Sequence, residues 1–239
     1  MFPGVAGSKS IVNLLYIFSL TGFFLAPAKL GRWIWLLPLS FLALNAFLFF
    51  APEALQPREN IWIYVAVSQA PWILFGLDLI AKGKISFVMV EIPLPDLILW
   101  PLFRLMGIIL CYSMYIGDLP PDFAFRAAFG DVVAALGALI LWTFYRPHST
   151  TYRALLLFWN SYGFITALSE GVTLLRAHPG VPFAQPDIDL HGYFSTYPLE
   201  WIPLFWIPLS LCVHAAIFYK LYGDWKEMSG EMTGQDEAS

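Results

Sequence analysis

Residues 127–145 read AAFGDVVAALGALILWTFY, nineteen positions with a single charged side chain, Asp131. A helix rises about 1.5 Å per residue and the bilayer hydrocarbon is about 30 Å thick, so about 20 apolar residues span it. Working outward, six more stretches share its character. The predicted spans are 11–28, 33–51, 61–81, 97–117, 127–145, 153–175 and 201–222, separated by segments such as Lys82-Gly83-Lys84, Gly117-Asp118-Leu119-Pro120-Pro121 and Arg146-Pro147-His148. The expected fold is therefore all-α and integral to a membrane, a bundle of seven transmembrane helices forming one domain over 1–222. A short polar tail follows over 223–239. Pro93, Pro95 and Asp96 predict an interfacial lead-in to the fourth span.

Composition agrees. Of 239 residues, 59% are hydrophobic and 13% charged, against about 25% charged in an ordinary soluble domain. Ten tryptophans suit interfacial anchoring. A net charge of −4 and the lack of a basic patch argue against a nucleic-acid partner. Cys111 and Cys212 lie in apolar segments and form neither a disulfide framework nor a CxxC pair.

The distribution of basic residues sets the orientation. Lys29, Arg32, Lys82, Lys84, Arg146, Arg153, Lys220 and Lys226 fall on one side, and Lys9, Arg58, Arg126 and Arg176 on the other. The positive-inside rule then places the N-terminus outside and the tail in the cytoplasm. Ala26-Pro27-Ala28 mimics a signal-peptidase site, but Lys29 and Arg32 follow the apolar stretch instead of preceding it, so the first span is expected to be retained. The localisation expected is the cell inner membrane, multi-pass.

Ionisable groups at membrane depth are costly and mark candidate sites. The candidates are Arg104, Asp131, Glu170 and His214, with Asp78 and the amides Asn13, Asn45, Gln69 and Asn160. Counting at about 1.5 Å per residue puts Arg104, Asn160 and His214 in an inner layer about 10–12 Å deep. It puts Asp131 and Glu170 in a second, outer layer rimmed by Arg126 and Arg176. Each has a plainer reading. Arg104 snorkels to the headgroups or pairs with Asp78; Asn160 glues helices together; His214 fills a close helix contact beside Ala215 and Ala216. Asp131, near the expected start of its helix, complements the N-terminal dipole.

Several chemistries are excluded by their missing residues. Lys220 lies at the inner end of the last span, so no mid-span lysine there serves a retinal Schiff base. His214 is the single intramembrane histidine, so a bis-histidine haem lacks its second ligand; single-ligand binding of a haem or pigment stays open, and no cofactor is assigned. HExxH, GxSxG, P-loop and dinucleotide fingerprints are absent, as are paired aspartate-rich diphosphate motifs. Asp187, Asp189 and His191 have the spacing to hold a cation, yet a solvated loop is the expectation, and no metal site is assigned.

Phe103-Arg104-Leu105-Met106-Gly107, Gly117-Asp118-Leu119-Pro120, Gly130-Asp131, Trp159-Asn160 with Gly163, and Ile207-Pro208-Leu209 leading to His214 resemble a family of uncharacterised bacterial polytopic inner-membrane proteins. The resemblance covers roughly residues 103–220. In that family pattern an acidic residue follows the Trp-Asn pair by six positions; here Thr166 stands there, and Glu170 comes a turn later. The resemblance implies the membrane class and no activity.

The function expected from these residues is an intramembrane polar pocket for a lipophilic or small ligand. Asp131 and Glu170 are the catalytic candidates and Arg104, Asn160 and His214 the ligand-binding ones. As an enzyme it would be an acid–base isomerase or cyclase of isoprenoid-like substrates, with two carboxyls sharing a proton in a dry pocket. The alternatives are a proton-coupled carrier using the same residues as a relay, and a non-catalytic subunit of a larger membrane complex. The partners expected are the lipid bilayer, a lipophilic small molecule and neighbouring membrane subunits.

Overall fold

The computed structural model describes residues 92–177 and 202–236, with the single positions 183, 190 and 194. The spans expected over 11–28, 33–51 and 61–81 lie outside the described residues. So do Asp78, Asn13, Asn45, Gln69 and the Asp187, Asp189 and His191 loop.

The described residues are all-helical, with no strand among them. Helix α1, Leu94–Leu99, runs into a 3₁₀ segment, Trp100–Met106, and then helix α2, Gly107–Tyr115. Together these 22 residues are long and apolar enough to cross a membrane. The predicted lead-in is thus helix from Leu94 onward: Pro93 caps it, and Pro95 sits in the first turn, where a missing N–H costs nothing. Pro101 opens the 3₁₀ segment, whose seven residues exceed the usual three or four of such runs.

Gly117, at φ 80°, ends α2. That left-handed backbone is open to glycine at no steric cost. Ser113 O accepts the N–H groups of Asp118 and Leu119, closing the turn. Helix α3, Pro121–Thr143, follows and is the second element apolar and long enough to cross a membrane. It starts six residues before the predicted 127, because Pro120 caps it and Pro121 is preset for the first helical position. Asp122, and not Asp131, therefore sits in the first turn and complements the dipole.

Helix α4, Thr150–Ala177, is entered through Ser149, whose Oγ accepts the N–H of Tyr152 as an N-cap. A π-helical turn, Ile202–Trp206, leads into helix α5, Ile207–Asp236. Pro203 and Pro208 bracket the join, and each lacks the N–H a regular ladder needs. The α5 helix passes the expected end at 222 and carries the polar tail as helix to Asp236.

Small side chains bring the helices close. Ala124, Ala127, Ala128, Ala134, Ala135 and Ala138 form the buried stripe of α3, spaced three and four apart as one helix face requires. On α4 the buried stripe is Leu156, Asn160, Gly163, Ala167, Glu170 and Leu174. The helices α3 and α4 run antiparallel. Tyr152 donates to Leu141 O at 2.8 Å, Trp159 donates to Ala134 O at 2.8 Å, and Gly130 faces Thr166. Polarity is inverted relative to a soluble bundle. Phe129 and Phe158 are 57% and 74% exposed, whereas Asp131 and Glu170 are 7% and 9% exposed.

Candidate functional site

Arg104 is the hub. It lies in the 3₁₀ segment, and its side chain is fully enclosed between α3, α4 and α5. All five N–H bonds of the guanidinium meet acceptors. Nε donates to Asp131 Oδ1 at 2.6 Å. One terminal nitrogen donates to Gly163 O at 2.7 Å and faces His214 Nε2 at 3.5 Å. The other donates to Thr166 Oγ1 at 3.0 Å and reaches Glu170 Oε1 at 3.4 Å. A buried guanidinium is tolerated when its donors are satisfied and its charge is paired, and both conditions hold here.

The two carboxyls are held unequally. Asp131 makes a short, charge-assisted contact, while Glu170 stands at the limit of hydrogen-bond reach. Gly107 makes the first possible: a Cβ there would lie 2.6 Å from Asp131 Cβ, so α2 and α3 close only over a glycine.

Behind the guanidinium lies a second layer of order. Asn160 Nδ2 donates to the His214 backbone carbonyl at 2.9 Å, an acceptor only. Its Oδ1 must then face His214 Nδ1, at 2.8 Å, and accept a hydrogen bond from it. Nδ1 carries the hydrogen, and Nε2 offers its lone pair to the Arg104 donor. Both ring nitrogens of His214 thus face partners within the protein. Trp159 packs edge-on against the imidazole at 5.6 Å, and Gly163 leaves the room that the ring occupies.

A cavity of about 10 Å³ adjoins this cluster, lined by Arg104, Asp131, Glu170 and Ser210 with apolar Phe103 and Trp206. Phe103 and Trp206 pack with their rings tilted, centroids 5.0 Å apart, and tie the 3₁₀ segment to the π-helical turn. No group of three His, Cys, Asp or Glu side chains able to hold a metal occurs among the described residues.

The structure brings all five sequence-identified residues, Arg104, Asp131, Asn160, Glu170 and His214, into one cluster. The two expected layers are therefore one. Asp131 is the eleventh residue of α3 and not the fifth of a later-starting span, and the long Arg104 side chain bridges the remaining offset. Arg104 neither snorkels nor waits at a rim: it is the cation both carboxyls share. Arg126, expected beside them, is exposed and donates to Asp122 O at 2.9 Å. Arg176 is exposed too. Sequence reading did not weigh Thr166 as a contact or single out Ser210. Thr166, six positions after the Trp159-Asn160 pair, touches the same nitrogen as Glu170. Ser210 lies one turn before His214 on one helix face, and that i, i+4 spacing was the available signal.

Fold and site define a helical protein with an apolar exterior, a buried ionic cluster and helices able to cross a membrane. More particularly, the chain belongs to the family described as Domain of unknown function (DUF8737), whose match extends over residues 60–222. This reaches well N-terminal of the 103–220 stretch that carried the resemblance. No curated protein and no solved structure matches the chain.

Proposed function

We propose that the chain is a multi-pass protein of the cell inner membrane, N-terminus outside, whose buried cluster takes up and releases one proton, with Glu170 as the carrier. One observation supports this above the rest: a single guanidinium serves two enclosed carboxyls beside a cavity. With both acids ionised the buried cluster carries a net −1, and with one proton bound it is neutral. Low dielectric favours the neutral count. Glu170 is the weaker-held partner, so the proton resides there while Asp131 stays paired.

Such a site suits proton-coupled movement of a small ligand. The cavity volume is that of one water molecule, while a pocket enclosing a molecule of isoprenoid size takes several hundred Å³, roughly 300 or more. Acid–base chemistry on a lipophilic ligand is the second reading, favoured by the aromatic walls that Phe103 and Trp206 give the cavity.

Charge counting makes the test specific. Infrared difference spectra of the protein in nanodiscs, taken across a pH step, should show a protonated-carboxyl band. Glu170→Gln should abolish it. Asp131→Asn should abolish it as well, because the remaining glutamate then balances Arg104 one to one. A band that survives in Glu170→Gln would refute the assignment.

A further inference from the structure

Ser210 is 2% exposed, and its Oγ has no hydrogen-bond partner among the described residues. A buried hydroxyl left unpaired costs free energy, and in native folds such a group almost always meets a partner or an ordered water. Serine in a helix usually satisfies itself on the carbonyl four residues back, as Ser161 does on Leu157 and Thr173 on Ser169. Ser210 does not. It instead lines the cavity that Asp131 and Glu170 also line, whose volume of about 10 Å³ is one water molecule's. The remaining requirement for a buried water, two to four polar partners, is met by the hydroxyl and the carboxyl oxygens together.

From this arrangement we infer that Ser210 and Glu170 hold a single water molecule between them, and that this water is the group through which Glu170 exchanges its proton. The inference rests on the proton-carrier reading of Glu170. In the uptake step a hydronium ion at this position gives one proton to the Glu170 carboxylate. A neutral water and a carboxylic acid remain. Release is the reverse. The Ser210 hydroxyl donates to or accepts from the water and keeps its own proton count throughout. Ser210 is thus a positioning residue. Its place on α5, one turn from His214, ties the water to the helix that also orients the Arg104 network.

The experiment follows the rate of the carboxyl band after a pH jump, in nanodiscs, for wild type, Ser210→Ala, Ser210→Thr and Ser210→Val. Loss of one hydrogen bond to the transferring water should slow exchange by about tenfold in Ser210→Ala. The valine variant, which fills the space with methyl groups, should be at least as slow, and threonine, which restores the hydroxyl, should recover most of the rate. The thermal midpoint of Ser210→Ala should stay near wild type, since no hydrogen bond between protein groups is removed. In wild type, exchange into oxygen-18 water should shift an O–H stretch that is absent in Ser210→Val. If the Glu170 band titrates in wild type but Ser210→Ala exchanges at the wild-type rate, or no isotope-sensitive stretch is found, the water relay is wrong while the carrier reading stands. If no band titrates in wild type, the carrier reading fails first.

Discussion

Arg104 settles its own protonation partners by geometry. Its planar fork sends Nε to Asp131 and its two ends to opposite sides, toward His214 on one and Thr166 and Glu170 on the other. Lysine has neither the plane nor the five donors. Arg104→Ala leaves two carboxyls enclosed without a cation, and removing one partner of a buried pair typically costs about 3–5 kcal/mol. A large fall in the detergent thermal midpoint is therefore expected for Arg104→Ala, with Arg104→Lys falling between it and wild type. A midpoint unchanged in the alanine variant would mean that the cluster contributes nothing to holding α3, α4 and the 3₁₀ segment together. Thr166 adds a point of chemistry. Six positions after the Trp159-Asn160 pair, this chain presents a hydroxyl to the same guanidinium end that Glu170, one turn on, also reaches.

At the scale of the element, glycine decides which helices can meet. Gly163 stands where α4 crosses α5, and a Cβ there would fall against the Cε1 and Nε2 atoms of His214. Its carbonyl also takes an Arg104 donor at 2.7 Å. Gly163→Ala should push the imidazole off Asn160 and destabilise the fold by about 1–3 kcal/mol, the usual range for overpacking. The double variant Gly163→Ala with His214→Ala should be less destabilised than the two single changes summed, since the clash is gone. Strict additivity in chemical unfolding would show that the two residues do not meet. Proline works in the opposite sense. Pro101 and the Pro203 and Pro208 pair interrupt the regular ladders at the two places, 3₁₀ segment and π turn, whose side chains wall the cavity. Such departures from α geometry recur at functional sites.

For the whole molecule, the inverted polarity is the informative feature. Phe125, Phe129, Leu136 and Ile140 of α3 and Leu155, Phe158 and Ile165 of α4 are exposed, while Arg104, Asp131 and Glu170 are buried. Large exposed apolar area on a helical protein marks a lipid or protein contact, and the proposed topology assigns it to lipid. In a background lacking Cys111 and Cys212, an impermeant thiol reagent added from the periplasmic side should modify a cysteine at position 187 and spare one at position 84. The reverse pattern would overturn the orientation drawn from the basic residues.

The sequence by itself determined the helical class of the described residues and picked out Arg104, Asp131, Asn160, Glu170 and His214, all of them buried. Apolar stretches interrupted by turn chemistry are local facts, and an ionisable group inside such a stretch is conspicuous wherever it ends up. Helix starts were less legible: Pro120-Pro121 placed the beginning of α3 six residues before the apolar pattern did, because caps are set by backbone dihedrals and not by hydropathy. That offset moved Asp131 from a helix end to mid-helix. Only the tertiary structure decided that Asp131, Glu170 and His214, up to 110 positions away in the chain, converge on the Arg104 guanidinium, with Asn160 holding the histidine. Glycine contacts at Gly107 and Gly163 set the helix spacing, and a long arginine side chain then spans a gap that residue counting along separate helices does not measure. The partnerless hydroxyl of Ser210 belongs to the same category, for a hydrogen bond left unmade is a property of the assembled packing alone.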